Sequence, residues 1–271
     1  MRKMMAKKAA FIVLSSIALA GLSFTYAGTS NASVLKTAII KEDSSYLSGY
    51  YAAQLKDPFT HITATFTVPE VNCNSDGAGD EVLHYVELLQ LYGAGILAQY
   101  QAGIKEFCRA DGQAGYNSWY SGTEGDNDEG GVEHGVHPGD RLTASVTSEK
   151  DNRMEFEVID STHPSDSFRI NAAGQLSSAP IFNGVAVFTD GSYGSDILLY
   201  GPLDFDRVDF RDIKISDTAG SGGFSSPDWR SYVYILDGHD IAGESQVNVT
   251  PTSLGDNGEA FDNIWLAYSY H

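Results

Sequence analysis

The segment QYQAGIKEFC, residues 99–108, carries two glutamines two positions apart and a cysteine seven residues after Gln101. In an extended strand, residues i and i+2 lie on one face, so Gln99 and Gln101 would share a face. A side-chain amide donates hydrogen bonds but is no base at ordinary pH, so chemistry at this segment needs a partner from elsewhere in the chain.

Two groups of carboxylates could supply general acid–base chemistry. Glu155 and Glu157 share one face of an alternating segment, and we expect that face to meet solvent. In DFDRVDF, Asp204 and Asp206 point the same way and Asp209 the opposite way. β-Sandwich glucanases use a related acidic strand, so a carbohydrate hydrolase based on Asp204 and Asp206 is one hypothesis for this chain.

Metal and cofactor motifs are weak. The stretch EHGVH, residues 133–137, sets two histidines three apart, and GDNDEGG, residues 125–131, is acidic but lacks the spacing of a calcium loop. We interpret both as solvated loops. The sequence contains no G-x-S-x-G elbow, no HExxH and no P-loop, so we predict neither a metal nor a cofactor.

The elements that must position these residues are strands. Six segments alternate apolar and polar residues and are bounded by Gly, Pro, Asn and Asp clusters: 61–68, 141–148, 153–160, 207–215, 232–236 and 245–250. The run DEVLHYVELLQLY, residues 80–92, fits either a helix or a buried strand. The pattern predicts an all-β fold, a sandwich of two antiparallel sheets of the jelly-roll type.

The amino terminus has the features of an export signal. A basic start, an apolar run and small residues before Ala27 or Ala32 indicate a signal peptide over residues 1–32. Residues 33–45 are then a short propeptide or a flexible terminus, and residues 46–271 form the β-sandwich domain. We expect a secreted, extracellular protein that has no membrane contact after signal removal.

Charge limits the partners. The whole chain has 17 basic and 36 acidic residues, and four of the basic ones belong to the signal, so the mature chain carries 13 − 36 = −23. Nucleic acid and anionic membranes are therefore poor partners. We expect a monomer. The two cysteines, Cys73 and Cys108, are an even count in an exported chain and predict a disulfide.

Seven segments resemble, in order and spacing, the glutamic peptidases (eqolisins), and most closely their secreted bacterial branch. They are SGYYAA (48–53), FTHITATFTVPEVNC (59–73), QAGIKEFC (101–108), GYNSWY (115–120), HPGDRLTASVT (137–147), SFRI (167–170) and GPLDFDRVDF (201–210). The resemblance covers roughly residues 45–268. It implies a double β-sandwich, a protein or peptide substrate, and acid endopeptidase activity.

The resemblance also implies a dyad of glutamine and glutamate, in which the glutamate activates water and the glutamine amide stabilises the oxyanion. Gln101 matches the glutamine. The glutamate position falls on Asp190, fourteen residues before Asp204, or in another alignment on Asn183 or Gly184. We predict a Gln101/Asp190 pair.

Substrate-binding residues follow from the same resemblance. Trp119 and Tyr120 are predicted to line the cleft, with one ring facing the core, and Tyr92 takes the place of an acidic residue of the family. Because several cleft positions differ, the alternative is a retained fold with altered or lost chemistry. That protein would be a non-catalytic sandwich binding a peptide or glycan in the same cleft.

Overall fold

A computed structural model describes residues 39–44, 47–54, 56–73, 81–92, 95–122, 130–174, 181–191, 204–239 and 245–266. The predicted signal peptide, most of residues 33–45 and the acidic residues 125–129 lie outside these ranges. Within them, no helix has the length and apolar character needed to cross a bilayer.

The described residues are almost entirely strand. The strands are β1 (Ile40–Ser44), β2 (Leu47–Ala53), β3 (Phe59–Thr67), β4 (Glu81–Tyr92), β5 (Gly95–Cys108), β6 (Ala114–Ser121), β7 (Gly130–Gly135), β8 (Arg141–Ser148), β9 (Arg153–Asp160), β10 (Phe168–Ala173), β11 (Gly184–Asp190), β12 (Arg207–Asp217), β13 (Ser221–Gly222), β14 (Arg230–His239), β15 (Ser245–Pro251) and β16 (Phe261–Trp265). Single turns of 3₁₀ helix are formed by Lys150–Asn152, Pro164–Asp166 and Asp256–Gly258.

Hydrogen-bonded neighbours trace one long path that folds into two layers. The first layer has the order β10-β9-β8-β3-β12-β16-β15, and the second continues as β14-β2-β11-β4-β5-β6-β7. Strands β4 and β5 of the second layer pack on β3, β8 and β9 of the first. The predicted antiparallel sandwich is therefore confirmed, and all six alternating segments are strands.

The main core lies between the two layers. Its largest fully buried side chains include Phe66, Phe156, Phe182, Phe210 and Tyr100. These side chains lie in the main core because every second residue of each strand points into the space between the two layers.

Strand β4 resolves the ambiguous run at residues 80–92. Val86 and Leu88 point into the main core, whereas Tyr85 and Leu89 join a second apolar cluster on the opposite face. A strand buried on both faces shows no period-two pattern in its sequence. The run is therefore continuous and apolar because both sides of β4 are covered.

Cys73 and Cys108 form a disulfide, with Cα atoms 5.5 Å apart. The predicted pairing is confirmed. The bond joins the end of β5, seven residues beyond Gln101, to the segment that follows β3.

A buried polar chain crosses the main core beneath β4. Glu106 lies 3.4 Å from Nε2 of His84. Nδ1 of His84 lies 2.9 Å from the hydroxyl of Thr189, which accepts a hydrogen bond from Asn263. Burial raises the pKa of Glu106, and the nearby His84 opposes that rise.

Candidate active site

The outer face is the side of the second layer that points away from the main core. Its apolar residues form the second cluster, which comprises Tyr51, Leu83, Tyr85, Leu89, Trp119, Ala186, Phe188 and Tyr234. Strand alternation makes this face continuous across β2, β11, β4, β5 and β6. Gln101 and Glu87 lie within it.

Gln101 and Glu87 are directly opposite on the hairpin of β4 and β5. Nε2 of Gln101 donates a hydrogen bond of 2.9 Å to Oε1 of Glu87. The row continues to Ser121 on β6 and to Ala186 on β11. An amide and a carboxyl group therefore share one position on the outer face.

A β-bulge sets this register. Leu91 faces Ile96 and Gln90 faces Ala98, so Leu97 is an extra residue on β5. If the pairing of Leu91 with Ile96 continued along β4 without this extra residue, Tyr100 would lie opposite Glu87 in place of Gln101. A slip of one residue moves side chains to the other face, so the bulge brings the amide and the carboxyl together.

Glu87 is almost fully buried, with 3% of its surface exposed. Burial raises the pKa of Glu87 to about 8; the hydrogen bond from Gln101 opposes the rise and the charge of Asp190 adds to it. Glu87 is thus protonated at acid pH in the substrate-free protein.

Asp190 ends β11 on the same outer face but in another row. It is opposite Leu83 of β4, four residues along β11 from Ala186, which faces Glu87. Strand rise makes the separation between those rows about 13 Å. The carboxyl bonded to Gln101 therefore belongs to Glu87, on the strand between β11 and β5. Asp190 acts on it through charge, and a catalytic role for Asp190 stays a prediction.

The same register distinguishes Gln101 and Glu87 from the other residues considered for the amide and the carboxyl of the pair. Gln99 faces Leu89, so Gln101 is the glutamine that meets the carboxyl. The side chain of Asn183 is bonded to the backbone N–H and carbonyl of Leu91, at 2.7 and 3.2 Å. Gly184 faces Leu89 as well.

The two predicted aromatic residues point to opposite faces. Trp119 is opposite Gly103 on the outer face, and its ring contacts Tyr85, with centroids 5.9 Å apart. Tyr120 points into the main core and packs on Phe156. Trp119 is the ring beside the Gln101 row; substrate roles for Tyr120 and for Tyr92, the last residue of β4, stay predictions.

The remaining carboxylate groups lie elsewhere. Glu157 on β9 pairs with Arg169 on the first layer. Asp204 and Asp206 precede β12, and Oδ1 of Asp204 accepts a hydrogen bond from the backbone N–H of Asp206. These carboxylates serve local contacts, and neither group joins the row that contains Gln101.

Glu87 was missed by the sequence analysis. The signal available was an acidic residue in the middle of the apolar run LHYVELLQL. Acidic residues are seldom fully buried, so one in such a run marks a candidate functional site. Its pairing with Gln101 depends on the bulge, which the sequence alone does not fix.

The fold matches solved glutamic peptidases. Scytalido-glutamic peptidase with a peptide-based transition state analogue is 15% identical, with a TM-score of 0.58, covering 82% of this chain and 98% of that one. SCP-B, an eqolisin in complex with the tripeptide Ala-Ile-His, gives the same four values. Aspergilloglutamic peptidase from Aspergillus niger is 16% identical, with a TM-score of 0.52, covering 69% and 99%.

A search among curated proteins found no match. The model of the peptidase A4 family matches residues 45–250, most of the chain. The order of the seven sequence segments and the two-layer fold agree with that match, and the chain belongs to the peptidase A4 family, the eqolisins.

Proposed function

We propose that the chain is an exported endopeptidase of the glutamic type, in which Gln101 and Glu87 act as the pair. The observation that carries the proposal is the 2.9 Å hydrogen bond between their side chains on the outer face. Family membership supports a protein or peptide substrate, since two of the related structures hold a peptide-based analogue and a tripeptide.

The chemistry assigns one role to each side chain. The ionised carboxylate of Glu87 removes a proton from a water molecule as the water oxygen attacks the peptide carbonyl carbon. The carbonyl oxygen becomes an oxyanion, which accepts a hydrogen bond from the amide of Gln101. Glu87 then gives its proton to the leaving nitrogen, the C–N bond breaks, and the carboxylate is restored.

The raised pKa of Glu87 sets the pH range. A carboxylate of ordinary pKa would suit acid proteolysis, as the sequence led us to expect. With a pKa of about 8, only about one Glu87 in 10⁴ is ionised at pH 4. The base form becomes abundant at neutral and alkaline pH, so activity rises with pH through this range.

Substrate access requires movement on the outer face. Gln101 is 9% exposed and Glu87 3% exposed, so a peptide reaches them only after covering side chains move aside. Nε1 of Trp119 is buried without a hydrogen-bond partner among the described residues. A hydrogen bond from this indole N–H to a peptide carbonyl would remove the cost of leaving a buried donor unpaired. We therefore assign Trp119 as a contact for the substrate.

The test is digestion of an unfolded protein by the purified, exported chain between pH 3 and pH 9, with Gln101→Ala and Gln99→Ala variants. Gln99 lies on the same face two residues away and is the matched control. We expect cleavage by the wild type and the Gln99→Ala variant, and a loss of roughly 100-fold or more for Gln101→Ala. Absence of cleavage at every pH would favour the binding-module hypothesis instead.

A further inference from the structure

Two turns of the first layer bring histidines and aspartates together. The turn before β8 contains His137 and Asp140, Asp160 is the last residue of β9, and His163 lies in the turn that follows it. One potential ligand atom from each of His137, Asp140 and His163 lies within 4.8 Å of the other two. Asp160 and His163 form a second such group with Asp166.

The distances within this cluster suit a shared cation. Nδ1 of His163 lies 2.8 Å from Oδ1 of Asp140 and 4.0 Å from Oδ2 of Asp160, and Nδ1 of His137 lies 3.5 Å from Oδ2 of Asp140. Ligand atoms around tetrahedral zinc, with bonds of about 2.0–2.1 Å, are about 3.3 Å apart. His163 belongs to both three-residue groups, so its imidazole links His137 and Asp140 to Asp160.

The carboxyl group of Asp160 gives independent support for a bound cation. Its carboxyl is about 1% exposed, and Oδ2 has no hydrogen-bond partner among the described residues. The other oxygen, Oδ1, accepts hydrogen bonds from the backbone N–H groups of Thr162 and His163 at 2.7 and 2.8 Å. A buried carboxylate oxygen facing an imidazole without a hydrogen bond is costly unless a proton or a cation compensates it.

The second carboxylate is held in the same way. Asp140 is 2% exposed, and its Oδ2 accepts a 2.7 Å hydrogen bond from the backbone N–H of His137. Both acids are therefore fixed by their own turns, whereas the imidazoles of His137 and His163 reach in from the solvent side. A cation can enter from solvent without any change in the backbone.

We infer that His137, Asp140, Asp160 and His163 form a binding site for one divalent transition-metal ion of the zinc type. Two imidazole nitrogens and two carboxylates favour zinc over calcium or magnesium, which prefer all-oxygen sites. Four protein ligands complete a tetrahedron, so the ion would hold the two turns together instead of activating water.

The site is separate from the proposed peptidase pair, since β8 and β9 belong to the first layer and Gln101 and Glu87 to the second. The sequence analysis assigned His137 to a solvated loop together with His134. It could not see His163, which is 26 residues away and is brought close only by the pairing of β8 with β9.

The experiment is a calorimetric titration of the exported chain with Zn²⁺ at pH 7. The variants are His137→Ala/His163→Ala, Asp160→Asn and His61→Gln. Asp160→Asn is nearly isosteric, so we expect it to fold, and it still tests the site if the double variant does not fold. His61 on β3 lies outside the cluster and controls for histidine count.

We expect one Zn²⁺ per chain in the wild type and in His61→Gln, and affinity weakened at least about 10-fold by Asp160→Asn and more by the double variant. Zn²⁺ should also raise the thermal midpoint of the wild type, and that rise should be absent in the double variant. The inference is wrong if the wild type shows no saturable one-to-one binding. It is also wrong if Asp160→Asn and the double variant bind Zn²⁺ as tightly as the wild type.

Discussion

Two carboxyl groups on the outer face have different environments, and this difference decides the chemistry at the residue scale. Glu87 is hydrogen-bonded to Gln101, and its pKa is raised to about 8 by burial. Asp190 ends its strand in another row and raises the pKa of Glu87 through its charge.

Replacing Asp190 by asparagine separates the two candidates for the base. If Glu87 is the base, removal of the Asp190 charge lowers the pKa of Glu87 and moves the rise of kcat/KM to lower pH, with activity retained. The measurement is the pH profile of kcat/KM, which reports ionisations of the free enzyme. Loss of activity at every pH, with the fold intact, would instead assign the base to Asp190.

At the element scale, the hairpin of β4 and β5 determines the site. The sequence singled out Gln101 of β5 and predicted the disulfide at the end of that strand, because the first depends on the family resemblance and the second on the cysteine count. It did not predict that β4 would supply the carboxyl, because the pairing of Glu87 with Gln101 depends on the bulge at Leu97 of β5. Register is set by tertiary packing and turn geometry, which leave little trace in a single sequence.

Gly103→Ala tests the close packing of this hairpin. A Cβ at residue 103 would lie 2.0 Å from the carbonyl oxygen of His84 and 2.7 Å from the Cα of Tyr85. The strands must separate, so we expect destabilisation of about 1–3 kcal/mol and a loss of activity at Gln101, two residues away. Urea unfolding and peptide hydrolysis measure the two effects.

The control for that change is Gly135→Ala on β7, where an added Cβ would have no neighbour within 4 Å. It should leave stability and activity nearly unchanged. Equal stability of the Gly103→Ala and wild-type proteins would contradict the described packing of β4 on β5.

At the scale of the whole molecule, the two-layer fold followed from period-two patterns, since six of the strands alternate clearly. The order of strands in each layer did not follow, because pairs such as β2 with β14 join residues about 180 apart in sequence. Export and the signal peptide concern residues outside the described ranges and remain predictions. The acidic balance of the chain adds self-repulsion that weakens as carboxylates protonate.

Buried Glu87 makes stability depend on pH in a direction that can be stated. Its folded pKa of about 8 exceeds the ordinary value of 4.5, so the folded state holds a proton that the unfolded state has lost between these values. The stabilising contribution is present below pH 4.5 and is lost as the pH rises through 8.

A Glu87→Gln variant does not titrate at residue 87, so it should gain stability over the wild type as the pH rises from 4 to 8. The gain should be on the order of 1 kcal/mol per pH unit. Urea unfolding of both proteins at several pH values measures it, and the comparison cancels the general effect of net charge. A difference that does not vary with pH would show that Glu87 titrates normally in the folded protein.

The most direct test of the proposed peptidase is the kcat/KM for cleavage of an unfolded protein or peptide by the wild type and Glu87→Gln, measured from pH 4 to pH 9. We predict a wild-type rate that rises with pH and is about half-maximal near pH 8, and a Glu87→Gln rate lower by at least about 100-fold at pH 8 to 9, because the base is gone. Wild-type levels of cleavage by a folded Glu87→Gln variant would contradict the assignment of Glu87 and Gln101 as the catalytic pair.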